Sequence, residues 1–185
     1  MKGLKHITIC ALVAVILTPI FHRAASFIPV DRIHAILALE AQGLSVFERE
    51  EISRTVTNLS KEYRLDPLLI LAVMKVESNF DSRALSNHDA RGLMQVRPIV
   101  VREVADDLDI SAKDSSRLYE QAFNLRVGVH YLAGLIRKFG GDLKKALMAY
   151  NAGPTSVARL YKNRPAPEGG YQGRVLKAYR LFSDS

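Results

Sequence analysis

Glu77 is the residue whose surroundings most call for a chemical explanation. It closes the run Asp66-Pro67-Leu68-Leu69-Ile70-Leu71-Ala72-Val73-Met74-Lys75-Val76, in which nine of the ten residues from Pro67 to Val76 are uncharged. Asp66 is a good N-cap, and Pro67 suits a first helical position that needs no N–H. The spacing leaves no wide polar face, so the helix should be buried on most sides. A carboxylate at its end meets the negative pole of the macrodipole and the apolar side chains of Val73, Val76 and Phe80. Both effects disfavour charge and raise the pKa, and a carboxyl protonated near neutrality can act as a general acid. Taken alone, Glu77 fits better as a surface glutamate at a frayed helix end.

Other polar groups recur at positions able to surround it. Ser86 and Gln95 flank a loop rich in turn formers that returns toward the helix end. Tyr150 and Asn151 stand together at a helix terminus, before Gly153-Pro154, and Tyr171 opens the last helix. Each also has an ordinary reading: Ser86 a turn residue, Gln95 a backbone-bonding amide, Tyr150 a core aromatic, Asn151 a C-terminal cap. Asp81 and Asp89 lie near Glu77 in sequence and read as turn residues. His34, His88 and His130 lack ligand spacing and HExxH is absent, so no metal or other cofactor is implied.

The elements that must position these residues are helices. A short helix is expected over 31–41, with Ile33, Ile36, Leu37 and Leu39 as its apolar positions. Ser45-Val46-Phe47-Glu48 is a capping box for a helix to about Tyr63, with Phe47, Ile52, Val56 and Leu59 inward. Pro98 opens a helix to about Asp107, and helical turns are expected near 115–123. Asn124 can cap a helix over 125–139 that Gly140-Gly141 ends, and a neighbouring helix would account for Gly128 and Gly134. Asp142 caps the next, to about Asn151; a short helix follows over 155–161, and the last spans 171–182. The fold class is mainly α, with at most a small β element near residues 78–97.

The 185 residues suffice for one domain with a real core. The net charge is +7, of which Lys2, Lys5 and Arg23 supply +3; after residue 25, 23 basic residues stand against 19 acidic ones. No Arg/Lys run with interleaved aromatics is present, which argues against a nucleic-acid partner. Lys2 and Lys5 precede a charge-free stretch, Ile7 to Phe21, the layout of a secretory signal. Its fifteen residues favour a signal core over a full span, but His22 and Arg23 make a poor cleavage site, so a retained inner-membrane anchor stays open. Cys10 is the sole cysteine, so the body beyond it can form no disulfide and no cysteine-ligated metal site.

Four motifs, in order, carry a resemblance: Glu77-Ser78-x-Phe80; Gly92-Leu93-Met94-Gln95-Val96-x-Pro98; Asn124-Leu125-x-x-Gly128-x-x-Tyr131-Leu132; and Ala149-Tyr150-Asn151-Ala152-Gly153-Pro154, followed by Tyr171-x-x-x-Val175. Over about residues 55–182 the chain resembles soluble-lytic-transglycosylase (SLT) domains, which have a lysozyme-like fold and cleave bacterial peptidoglycan. The chain then divides into 1–25, a signal peptide or anchor by its charge layout, 26–54, a helical extension, and 55–182, which the resemblance implies is the catalytic domain. The resemblance implies Glu77 as the single catalytic acid/base, Ser86 near the substrate N-acetyl group, and Met94 and Gln95 lining the sugar cleft. It further implies Tyr150 beside the glutamate, Asn151 in the cleft wall, and Tyr171 backing the site. The reaction implied is cleavage between N-acetylmuramic acid and N-acetylglucosamine with closure of a 1,6-anhydro ring, on peptidoglycan strands in the periplasm or cell envelope. The alternatives are a hydrolytic muramidase on the same fold and a non-catalytic peptidoglycan-binding part of a secretion, conjugation or division machine. The chain departs from the family at Asp89-Ala90, where Gly-Ala is usual, at Val100, where threonine is common, and at Glu168, one residue too close to Tyr171 to match the family's acid.

Overall fold

A computed structural model describes residues 30–184. The segment read as a signal or anchor lies outside these residues, and no described helix is long and apolar enough to cross a membrane.

The expected buried helix is α3, Pro67–Ser78, and it runs through the core. Every residue from Pro67 to Met74 is buried, and the Asp66 carboxylate accepts the Leu68 N–H at 2.8 Å. α1 (Val30–Glu40) and α2 (Val46–Tyr63) precede it, and α4 (Pro98–Leu108), a 3-10 helix (Asp114–Tyr119), α5 (Gln121–Lys138), α6 (Leu143–Ala152), α7 (Pro154–Leu160) and α8 (Gly170–Asp184) follow. α3 packs against α2 and most extensively against α8, while α5 packs on α2, α4 and α6. The Ser45–Glu48 capping box forms with both reciprocal bonds. The only β pairing among the described residues is two isolated antiparallel bridges, Leu85 with Arg91 and Arg91 with Val96. The mainly α expectation with a small β element in 78–97 is met.

The family-like region was expected to begin at residue 55, which falls inside α2. α2 continues unbroken through that point, and α1 contributes Ile33, Ile36 and Leu37 to the same core as α3.

Several local expectations are corrected. Leu39 and Phe47 are 72% and 69% exposed rather than inward. α5 begins at Gln121 after Glu120, so Asn124 lies in its first turn, buried, and caps nothing. Gly128 makes room for a loop residue, not a helix: a Cβ there would stand 2.6 Å from the Met94 sulfur. Beside Gly134, a Cβ would have only the Arg137 guanidinium near it, at 3.8 Å.

Candidate active site

α3 ends in a left-handed turn at Asn79 and Phe80, with φ of 51° and 65°. Phe80 is thereby turned into the core, and the chain enters the loop of residues 79–97. The Ser78 hydroxyl donates to the Leu93 carbonyl at 2.8 Å, tying the helix end to the returning side of that loop. Within the loop Asp89 takes φ 59°, the left-handed conformation in which glycine is usual and aspartate is tolerated. Arg91 grips its carboxylate with two N–H groups, at 2.8 and 3.1 Å, and donates a third bond to the Ser115 carbonyl. The departure at Asp89 is thus accommodated by a bidentate pair that fixes the turn.

Asn124 organises the other side. Its side-chain oxygen accepts the Met94 N–H at 2.8 Å, and its NH2 donates to the Arg91 and Leu118 carbonyls at 2.7 and 2.8 Å. The Tyr150 hydroxyl donates to the Met94 carbonyl at 2.9 Å. Both backbone groups of Met94 are therefore held, one from α5 and one from α6.

A cleft of about 760 Å³ opens over this assembly. Glu77, Ser86, Gln95, Tyr150 and Asn151 all line it, so the structure gathers five of the seven expected site residues on one surface. The other two do not line it. The Met94 side chain is wholly buried against Gly128, so its contribution is its backbone. Tyr171 is also buried and donates its hydroxyl to the Glu77 Oε1 at 2.6 Å, which makes it a positioning residue. Ser86 and Gln95 keep their ordinary roles as well. The Ser86 hydroxyl accepts the His88 and Ala90 N–H groups, and the Gln95 NH2 donates to the Ala84 and Gly92 carbonyls. The same cleft is lined by Arg97, Ile99, Arg102, Glu103 and Tyr131, to which sequence reasoning gave no role.

Burial pushes the Glu77 carboxyl up to about 7, against the opposing effects of the Tyr171 hydrogen bond and the Arg174 charge. Burial, with the nearby Glu77 charge, also raises the phenols of Tyr150 and Tyr171, so both remain neutral donors. The arrangement presents one half-buried carboxyl that holds a proton near neutrality, with a donor ready for its anion. Asp81 and Asp89 lie outside the cleft lining, and exposed Glu168 pairs with Lys144. A second groove, of about 660 Å³, lies between the α1–α2 corner and residues 79–83; it contains the Lys75–Glu40 ion pair and not Glu77.

Residues 54–171, well over half the chain, match the transglycosylase SLT domain. The chain belongs to that family. Among solved structures, the X-ray structure of an inactive Glu-to-Gln mutant of the lytic transglycosylase Slt from Pseudomonas aeruginosa is similar, with a TM-score of 0.65 and 24% identity. The match covers 89% of this chain and 32% of that one, so this SLT-family chain spans about a third of that protein's length. The likeness is one of fold, and with the family match it meets the expectation of a mainly α, lysozyme-like SLT domain.

Tyr171→Phe tests the positioning role. Its hydrogen bond favours the Glu77 anion, so its loss should push the Glu77 carboxyl further up. The falling high-pH limb of the rate profile should move to higher pH, and the maximal rate should drop about ten- to a hundredfold. A limb that stays in place or moves to lower pH contradicts the role.

Proposed function

We propose that this SLT-family protein is a lytic transglycosylase that cleaves the β-1,4 bond between N-acetylmuramic acid and N-acetylglucosamine in peptidoglycan. The observation that carries the reading is Glu77: a carboxyl in the wall of a glycan-sized cleft, raised to about 7 by burial and held by a neutral tyrosine.

Protonated Glu77 gives its proton to the glycosidic oxygen as the C1–O bond breaks. The substrate's own 2-acetamido carbonyl stabilises the positive charge developing at C1. Glu77, now an anion supported by the Tyr171 hydroxyl, accepts the proton of the C6 hydroxyl. O6 then closes on C1, forming the 1,6-anhydro ring and restoring the acid. One group serves twice and no water is consumed, whereas hydrolysis uses a second carboxylate to activate water or attack carbon.

One observation favours the hydrolytic alternative: Glu103, on α4, lines the same cleft. It is exposed, and its charge, after burial, helps raise the phenol of Tyr131 in the same cleft. Digestion of purified sacculi in heavy-oxygen water, followed by mass spectrometry, separates the two reactions. Anhydro products, one water lighter and unlabelled, are expected from the parent chain and from Glu103→Gln alike. Labelled reducing ends that vanish in Glu103→Gln would establish the hydrolase instead.

We also propose that the protein acts in the cell envelope, where its substrate lies. The support is the basic start at Lys2 and Lys5 and the charge-free stretch from Ile7 to Phe21. Membrane retention by that same segment belongs to the same proposal.

A further inference from the structure

We propose that Arg97 and Arg102 bind the carboxylate carried by the 3-O substituent of the muramyl sugar, and so give the cleft its preference for muramyl over plain N-acetylglucosaminyl glycan. The inference rests on the reading of the cleft as a glycan site. Arg97 occupies the N-cap of α4 in an extended conformation, with φ −86° and ψ 148°, and its side chain makes no capping bond. Arg102 follows within the next two turns, and both arginines line the cleft and are exposed. Neither side chain forms an ion pair or hydrogen bond within the described residues, whereas Arg91 and Arg117 are gripped by nearby carboxylates. Glu103 is the one carboxylate besides Glu77 in the cleft lining, so the α4 wall carries two cations against one acid.

Between the two arginines in sequence stands Ile99, 40% exposed and also lining the cleft. Exposed cations flanking an apolar side chain suit a carboxylate whose chain bears a methyl group. The muramyl sugar supplies that chemistry in two forms, the free lactyl ether and the lactyl-linked stem peptide. N-Acetylglucosamine carries neither group. The arginines are solvated, so the contact should be modest, sensitive to salt and mainly a matter of selection.

The test uses the full chain with Glu77→Gln, so that ligands are bound and not cut. Three glycans of matched length are titrated by calorimetry: peptide-bearing strands, amidase-stripped strands with free lactyl carboxylates, and neutral chitooligosaccharide. At low salt the parent should bind at least one carboxylate-bearing glycan about five- to tenfold more tightly than the neutral one, with the ratio shrinking as salt rises. Combined Arg97→Ala and Arg102→Ala should collapse that ratio toward one, and the double lysine variant should keep most of it. A preference confined to peptide-bearing strands identifies the stem peptide as the source; one retained on stripped strands identifies the lactyl group. A parent without preference, or an alanine variant with the parent's ratio, overturns the proposal. Lysis of sacculi by the chain with Glu77 intact is scored separately, so failure of the catalytic reading is distinguishable from failure of this one.

Discussion

Glu77→Gln is expected to lower the proposed cleavage of peptidoglycan about 10²- to 10⁴-fold, the range that loss of a general acid commonly produces, while binding of glycan persists. Glutamine preserves the shape and can still accept the Tyr171 hydroxyl, so the lost element is the transferable proton. The same substitution should stabilise the fold above neutral pH. In the parent, the unfolded chain releases the Glu77 proton near 4.5 and the folded chain holds it to about 7. Stability contributed by this group is therefore present below pH 4.5 and is lost as pH rises to about 7. At about 1.4 kcal/mol for each pH unit the loss is about 3 kcal/mol. Glutamine has no such loss, so its advantage over the parent should grow across that window and level off above it. Urea titrations of both proteins at pH 4.5 and 8 measure this. An equal difference at the two pH values would mean that the carboxyl is not held protonated. In the parent, the rate itself should fall as pH rises through about 7, because the acid form is the active one.

Asn124→Ala carries the largest expected cost in stability. It strands three backbone partners at once: the buried Met94 N–H and Leu118 carbonyl and the part-buried Arg91 carbonyl. With each such group costing about 1–3 kcal/mol, partly relieved by relaxation, the total should be about 3–5 kcal/mol. Against an ordinary total of about 5–15 kcal/mol, that is enough to leave a fraction of the chain unfolded at physiological temperature. Asn124→Asp should not rescue it, because an acceptor then faces the two carbonyls that the amide NH2 served. Activity should fall further than stability alone explains, since Met94 is where the Asn124 and Tyr150 bonds meet. A cost below about 1 kcal/mol in the denaturation midpoint would show that water replaces the amide.

The contrast between Asp66 and Asn124 shows what was legible in the sequence. The capping bonds at Asp66-Pro67, Ser45 with Glu48, and Gly140-Gly141 reach no further than five residues along the chain, so local chemistry specified them. Asn124 has the same capping chemistry on paper, but its partners stand up to 33 residues away, and tertiary structure recruited it. Met94 was misplaced for a related reason. Whether its side chain or its backbone serves the cleft depends on Gly128, a relation that helical periodicity does not contain. Leu39 and Phe47 follow an apolar spacing yet lie at the α1–α2 corner, beyond the reach of the core. The cleft residues of α4 were missed because Arg97, Arg102 and Glu103 look like any solvent face of an amphipathic helix. Only the wall opposite, supplied by α5 and α6 through Tyr131, Tyr150 and Asn151, makes that face part of a site.

The tyrosine clamps between α3 and α8 bear on the order in which the molecule forms. Tyr171 near the start of α8 holds Glu77 at the end of α3, and Tyr179, two turns later, holds Asp66 at its beginning, 2.7 Å from the carboxylate. These partners are 94 and 113 residues apart, so each bond closes a long loop. Shorter-range pairs, such as α1 on α2 and α5 on α6, have less chain entropy to overcome and should form first. The cleft walls can then take shape around a glutamate that still lacks its hydroxyl partner. The Glu77–Tyr171 bond is therefore expected to form late, and a collapsed but unfinished chain should have its cleft walls before its carboxyl gains a hydroxyl partner.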